Sequence, residues 1–431
     1  LLDTDLEENA GEDRWICGQL YGWFKEERLA QEIVLGIGGV RALRALGIEV
    51  DVYHFNEGHA VLAAIELIEE QKSSGFGFEE AWRRTREQVV FTTHTPVVQG
   101  NESHDLSMMA FMGACRGLTA EQMTRIGGDP FNMTVAALRL ARNSNAVAML
   151  HAETANDMWR HVAGRSEIVG ITNCIHTPTW VDPRITDAYE AGRPLRPVHD
   201  TIKGELLRFI EDRTGARLRL DRILIGFSRR AAPYKRSDLL FADLDRIGPF
   251  LRSGQLQIVF SGKAHPLDDS GKDIVANIVA MTEAFPDAVV FLPNYDMEIG
   301  RMLTRGSDVW LNNPRRPQEA SGTSGMKAAM NGVLNCSILD GWWPEACQDG
   351  VNGWQIGDGF ESDDVDELDA HDAAALYAVL LDKVLPTYYD DPERWEEMVR
   401  ASVESVSERF AVAQMLDDYF DLLYRPSLAS A

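Results

Sequence analysis

The chain has 431 residues, enough for two or three domains with sizeable cores, and its apolar (45%) and charged (25%) fractions are those of a soluble globular protein. A net charge of -25 excludes a general nucleic-acid or anionic-membrane surface, so any local gathering of cations is informative. The five cysteines (Cys17, Cys115, Cys174, Cys336 and Cys347) are odd in number and widely spaced, which argues for reduced thiols in a cytoplasmic protein rather than a disulfide framework or zinc site. No apolar run approaches the ~18 residues of a membrane span. Leu1-Leu2-Asp3-Thr4-Asp5 has neither the basic start nor the apolar stretch of a signal peptide, and without an initiator Met the chain is expected to open inside a structural unit.

Taken in order, the first third alternates between helices and strands. Glu26–Leu46 has helical spacing, with Leu29, Ile33, Val34 and Ile37 on one face; Gly36, Gly38 and Gly39 weaken it and suggest a close packing contact. Val50–Phe55 is a predicted strand followed by a helix over Glu57–Gln71, and Gln88–Thr92 is a second buried strand ending in Thr93-His94-Thr95-Pro96. Asn101–Asn143 reads as helical and loop-rich, Ala146–Val162 as a helix with Val147, Leu150 and Trp159 in the core, and Glu167–Ile171 as a strand. In a doubly wound α/β domain ligands bind beyond the carboxyl ends of the strands. His54, Asn56, Glu57 and His59 lie at one such end and His94 past another, which points modestly to a site. His54 and His59 could share a metal, but no third ligand stands out, and that reading is rejected.

Asp182–Arg219 is helical and charged, interrupted by Pro183, Pro194 and Pro197, and reads as a connector with a solvated face. A second α/β unit follows. Its predicted strands are Arg222–Phe227, Gln255–Phe260, Ala288–Leu292, Asp308–Leu311 and Val333–Leu339, alternating with helices near Gly271–Phe285, Glu298–Arg305 and Gly325–Asn331. Ala373–Tyr424 is helical, and its end could pack back across the domain interface.

Two stretches of this unit carry chemistry. The first strand runs into Ser228-Arg229-Arg230-Ala231-Ala232-Pro233-Tyr234-Lys235-Arg236. Four cations past a strand end in an acidic protein call for an anion, and arginine suits forked phosphate contacts; the competing reading pairs them with Asp238 or Asp243 on the surface. The second stretch is Glu319-Ala320-Ser321-Gly322-Thr323-Ser324-Gly325-Met326-Lys327. Its small residues let backbone N–H groups converge, and the helix that follows adds positive partial charge, which suits a phosphate. Lys327 could be a point charge on a nucleotide, a Schiff-base lysine on a phosphorylated aldehyde cofactor, or a surface lysine after a flexible turn.

Two Rossmann-like doubly wound α/β domains facing a cleft make a glycosyltransferase-B (GT-B) type fold. Over Leu1 to about Tyr424 the chain resembles the α-glucan (glycogen, maltodextrin) phosphorylases, especially their short bacterial branch. The resemblance rests on His54-Phe55-Asn56-Glu57-Gly58-His59, Thr92-Thr93-His94-Thr95-Pro96, Ile171-Thr172-Asn173-Cys174-Ile175-His176-Thr177-Pro178-Thr179-Trp180 and Arg229-Arg230 with Tyr234-Lys235-Arg236. Glu319–Lys327 and Leu339-Asp340-Gly341-Trp342-Trp343 complete it. Each motif is modest alone; their joint order and spacing are specific.

The resemblance implies that Lys327 holds pyridoxal 5′-phosphate as a Schiff base, with Arg229, Lys235, Thr323 and Ser324 on the cofactor phosphate and Tyr295 near its ring. It implies that Arg230, with Lys235, grips orthophosphate, that Glu319, Ser321 and Gly322 bind the terminal glucosyl hydroxyls, and that Asn173, His94 and Glu57 line the sugar site. The implied catalytic set is Lys327, Arg230, Lys235 and His94, with no metal. The implied reaction is reversible phosphorolysis of a terminal α-1,4 bond of glucan or maltodextrin to glucose 1-phosphate, in which the cofactor phosphate relays a proton. A homodimer is the candidate assembly, and neither nucleic acid nor membrane is an expected partner. The implied domains are 1–170, 171–410 and a terminal helix over 411–431. Relatives carry a segment before Leu1 with a Gly-rich loop, so the first domain is expected to be incomplete; Cys174 and Ala152 stand where relatives usually have Gly. A catalytically impaired glucan-binding fragment, a nucleotide-sugar-dependent glucan synthase of the same fold and a pyridoxal enzyme acting on amino acids are the alternatives.

Overall fold

The computed structural model describes residues 2–20, 25–97 and 100–425. It divides into two compact units, one formed by the chain up to Ile171 with the stretch from Asp417, the other by Thr172–Leu416. Residues 426–431 of the expected terminal helix lie outside the described residues.

In unit 1, β1 (Tyr53–Asn56), β2 (Val89–Thr93), β5 (Asn143–Ala146) and β6 (Ile168–Gly170) form a parallel sheet in the order β1-β2-β5-β6. β3 (Ser103–His104) and β4 (Phe131–Asn132) make a short antiparallel pair between β2 and β5. The glycine-rich helical run packs as its glycines suggest: a Cβ on Gly36 would lie 2.7 Å from the backbone N of Ala63, so the two helices touch backbone to backbone. β5 falls in a stretch whose Asn-Ser-Asn-Ala sequence carries no hydrophobic signal. It is buried because its polar atoms are paired: Asn145 Oδ1 accepts from Thr92 Oγ1 at 2.5 Å, and the Ser144 and Ser166 hydroxyls lie 2.5 Å apart. The helix that follows is consequently shorter than its pattern predicts, Met149–Met158, with Val147 and Trp159 buried as expected and Leu150 half-buried. The stretch from Asp417 packs onto this unit, where Arg142 donates to the carbonyls of Leu423 (3.1 Å) and Tyr424 (2.6 Å).

In unit 2, β7 (Ile223–Ser228), β8 (Leu256–Ser261), β9 (Val289–Leu292), β10 (Val309–Asn312), β11 (Leu334–Ile338) and β12 (Gly353–Ile356) form a parallel sheet ordered β12-β11-β10-β7-β8-β9. The chain winds outward from β7 through β8 to β9, returns to β10 beside β7, and winds outward the other way. This is a doubly wound Rossmann sheet whose order reverses between β7 and β10, the kind of switch point at which ligands bind in such sheets. Both units are thus α/β with parallel sheets, the composition of the GT-B type.

Asp182–Arg219 is not a solvated connector. Pro183 and Pro197 stand at N1 or N2 of the helices Pro183–Glu190 and Arg196–Thr214, where a missing N–H costs nothing. The longer helix buries Ile202, Lys203, Leu206 and Ile210. Lys203 Nζ meets Asp308 Oδ2 at 2.5 Å and donates to the Arg222 carbonyl (2.6 Å) and the Tyr388 hydroxyl (3.2 Å); the same Asp308 oxygen accepts from the Leu224 N–H at 2.7 Å. A buried lysine thereby ties this helix to β7 and to the start of β10. Asp308→Ala strands the ammonium and is expected to destabilise the fold by roughly 3–5 kcal/mol in urea melts. The apolar pair Lys203→Met with Asp308→Leu is expected to recover most of that loss.

Candidate functional site

The two stretches that the sequence singled out meet at the switch point of unit 2. β7 delivers Arg229, whose N–H donates to the Ser261 carbonyl at 3.1 Å, and a short 3-10 turn, Pro233–Lys235, delivers Lys235. β10 delivers the loop to Glu319. There Arg229 Nη2 and Lys235 Nζ both meet Glu319 Oε2, the latter at 2.6 Å. All three side chains are buried, exposed by 6%, 9% and 8%. Burial alone would raise the Glu319 pKa, but the charges of Arg229 and Lys235 outweigh it and hold the carboxyl at about 2. Two cations on one carboxylate leave an excess of positive charge, and Arg229 Nη1 is buried with no hydrogen-bond partner among the described residues. An acceptor of anionic character satisfies both deficits.

The Glu319 loop is fixed from behind. The Glu319 N–H donates to Asp340 Oδ2 at 2.8 Å, the Gly341 N–H to Asp340 Oδ1 at 2.8 Å, and the Trp342 N–H to the Ser321 carbonyl at 2.8 Å. Asp340 is fully buried; burial first and the Glu319 charge second push its pKa up to about 7. Gly322 then turns the chain with φ +88, a left-handed conformation that favours glycine, into the helix Thr323–Met330. Ser321 Oγ is buried without a partner among the described residues, and Ser324 Oγ accepts from Trp310 Nε1 at 3.2 Å.

The helix begins at Thr323, so Lys327 stands one turn in and shares a face with Thr323. Its ammonium lies 3.5 Å from the centroid of the Trp180 ring, and burial lowers its pKa to about 8. Trp180 is a contact that sequence reading missed, although it ends a quoted motif. It is held by two residues without any sequence signal: Asn331 Nδ2 (3.1 Å) and Arg305 Nε (3.0 Å) both donate to the Trp180 carbonyl. Asn331 Nδ2 also donates to the Lys327 carbonyl at 2.8 Å.

Other candidates stand apart from this group. Arg230 is exposed. Arg236 is structural: it pairs with Asp369 (2.9 Å) and Asp372 (2.7 Å), not with Asp238 or Asp243, and donates to the carbonyls of Asn313 (2.8 Å) and Pro314 (2.7 Å), joining the β7 and β10 loops. Tyr295, in the loop after β9, is half-buried, with its hydroxyl packed against Gly300. Asn173 is half-buried in the loop that leads to Trp180, beside Cys174, whose sulfur meets Met415 Sδ at 3.5 Å.

In unit 1, Glu57 follows β1 with φ +68 and ψ 175, a conformation costing of order 1–3 kcal/mol for a residue with a side chain. Its carboxylate accepts from the His94 N–H, from Thr95 Oγ1 at 3.0 Å and from the Gly58 N–H at 3.3 Å, and so shapes the loop after β2 that carries His94. Burial lowers the His94 pKa. His54 is half-buried in a chain of bonds. Thr92 Oγ1 donates to Asn145 and therefore accepts from His54 Nε2 (2.6 Å), leaving Nδ1 to accept from the Tyr424 hydroxyl (2.7 Å). Loss of solvent, with His94 second, lowers the ring's pKa to about 4, which keeps it neutral at pH 7. His59 lies with Glu32 and Glu102, ligand atoms within 4.8 Å of one another, around Arg28, whose Nη2 is 2.6 Å from His59 Nδ1 and whose Nε is 2.7 Å from Glu102. The guanidinium is the cation of that group.

A carbohydrate phosphorylase family model matches residues 184–422. Maltodextrin phosphorylase of Thermococcus litoralis is 38% identical over 480 residues, covering 100% of this chain and 58% of the relative. Glycogen phosphorylase of Mycobacterium tuberculosis is 36% identical, with 100% and 58% covered, and that of Aquifex aeolicus is 34% identical, with 98% and 70% covered. The chain therefore spans less than two thirds of the length of the first two.

The Lys327 amine is expected to react with formaldehyde and cyanoborohydride along a curve with its midpoint near pH 8, followed at that residue by peptide mass spectrometry. A neutral, half-buried His54 binds fewer protons folded than unfolded between pH 6.5 and about 4. Stability is therefore full above 6.5 and falls as pH drops through that window. Stability–pH curves from denaturant melts are expected to flatten there in His54→Gln.

Proposed function

Because the chain belongs to the carbohydrate phosphorylase family, we propose that it carries out reversible phosphorolysis, transferring the terminal glucosyl unit of an α-1,4-glucan or maltodextrin to orthophosphate and releasing glucose 1-phosphate. The observation that supports this best is the pair Arg229 and Lys235 on the Glu319 carboxylate at the switch point, with Arg229 Nη1 awaiting an acceptor.

Pyridoxal 5′-phosphate suits the residues present. Lys327 offers an amine of lowered basicity with an aromatic wall, and Arg229, Lys235, Thr323 and Ser324 are assigned to the cofactor phosphate. Tyr295 is assigned to its ring. When bound, the cofactor supplies a phosphate group that exchanges a proton with orthophosphate. Two dianions ~5 Å apart repel by roughly 13 kcal/mol at an effective dielectric of 20, so cations must be gathered beforehand. Lys235 and Arg229 do this from rigid positions, and exposed Arg230 is assigned to the incoming orthophosphate. Glu319, Ser321 and Gly322 are assigned to the hydroxyls of the glucosyl unit, Asn173 and His94 to positions near its 6-hydroxymethyl and the scissile bond, and Glu57 to the lining of the site. A neutral His94 donates or accepts a hydrogen bond without adding charge where an oxocarbenium-like state develops. Orthophosphate protonates the glycosidic oxygen and captures C1 with retention. Free thiols suit a cytoplasmic setting, and the assembly we assign is a homodimer.

Chain supplied with pyridoxal phosphate and then reduced with borohydride is expected to carry the cofactor mass on Lys327, and to release glucose 1-phosphate from maltodextrin with phosphate. Lys327→Ala abolishes both. Lys235→Met is expected to lower the rate by ~100-fold or more while the label on Lys327 persists. An unlabelled Lys327 would overturn the reading; a labelled but inactive chain would make it a glucan-binding fragment.

A further inference from the structure

We infer that the Glu319 carboxylate is an internal competitor for the phosphate site, and that a phosphorylated ligand binds by taking Arg229 and Lys235 from it. The inference rests on the proposed cofactor and deepens that reading. Both cations contact one oxygen of Glu319, and all three groups are buried, so the pairing is not a solvent-screened surface contact. A phosphate oxygen seeking Lys235 Nζ and Arg229 Nη2 finds Glu319 Oε2 already there, 2.6 Å from the ammonium. Carboxylate and phosphate cannot both sit on those donors without like-charge repulsion.

The exchange requires a side chain that can leave and a backbone that cannot, and Glu319 has both. Its N–H is anchored to Asp340 Oδ2 at 2.8 Å, and Asp340 is itself held by the Gly341 N–H at 2.8 Å. The carboxylate is bonded only to the two cations among the described contacts. Rotation about its own χ angles frees it without moving the loop. A freed, unprotonated carboxylate is then an acceptor for hydroxyl groups of a neutral ligand. Anion binding and polyol binding are coupled positively, because the first releases the acceptor that the second uses.

The test compares pyridoxal 5′-phosphate with pyridoxal, which lacks the phosphate, by equilibrium dialysis of the 431-residue chain at fixed ionic strength. Glu319→Gln removes the competing charge and is expected to bind pyridoxal phosphate about tenfold tighter than the native chain, with pyridoxal unchanged. Glu319→Asp keeps the charge but draws it back by one methylene; about threefold tightening is expected, which preserves the test if the Gln variant does not fold. Equal or weaker pyridoxal phosphate binding by the folded variants overturns the inference and leaves the proposed function standing. Parallel tightening toward pyridoxal also overturns it, since the effect would then not lie in the phosphate. Absence of pyridoxal phosphate binding by the native chain overturns the proposed function and the inference together.

Discussion

The ion triplet of Arg229, Lys235 and Glu319 is the constraint around which unit 2 is built. Two of its members come from the β7 loop and the third from the β10 loop, and all are buried. Burying a lone guanidinium or ammonium would cost several kcal/mol, and the carboxylate offsets that cost for both cations. The arrangement leaves the group short of negative charge and one guanidinium nitrogen without a partner among the described residues. The fold thus tolerates an imbalance that a ligand of the opposite sign corrects.

That imbalance can persist because the scaffold is rigid on every side. The reversal of strand order between β7 and β10 brings the two loops together. Arg236, adjacent to Lys235, is bound to Asp369, Asp372 and the carbonyls of Asn313 and Pro314, so the β7 loop cannot drift from the β10 loop. Asp340 performs the same service for Glu319 from the end of β11. Neighbouring residues of one basic cluster therefore have unlike duties: Arg236 holds the frame, Lys235 and Arg229 meet Glu319, and Arg230 is left to solvent.

Sequence pattern showed most of this architecture and failed where polarity replaced hydrophobicity. The apolar strands of unit 2 read directly from runs such as Ile223-Leu224-Ile225, and the glycine-rich loop announced its turn. β5 was invisible because Asn145 and Ser144 pair with Thr92 and Ser166 rather than present apolar side chains to a core. Asp182–Arg219 misled because prolines that open helices look like prolines that break them, and because buried Lys203 reads as solvated until Asp308 is found. The cations were legible as a cluster, but the carboxylates that divide them lie far along the chain: Glu319 for two, Asp369 and Asp372 for a third. Long-range pairing of this sort leaves no local signature.

Trp180 owes its position to a single carbonyl shared by Asn331 and Arg305, and Asn331 grips the Lys327 carbonyl as well. The indole and the amine that it covers are consequently parts of one clamp closed by an amide four residues further along the helix. Burial of the lysine lowers its proton affinity, and the clamp fixes one wall of that burial, the Trp180 ring. Evolution could retune the amine by loosening one carboxamide, leaving every group that meets a ligand unaltered.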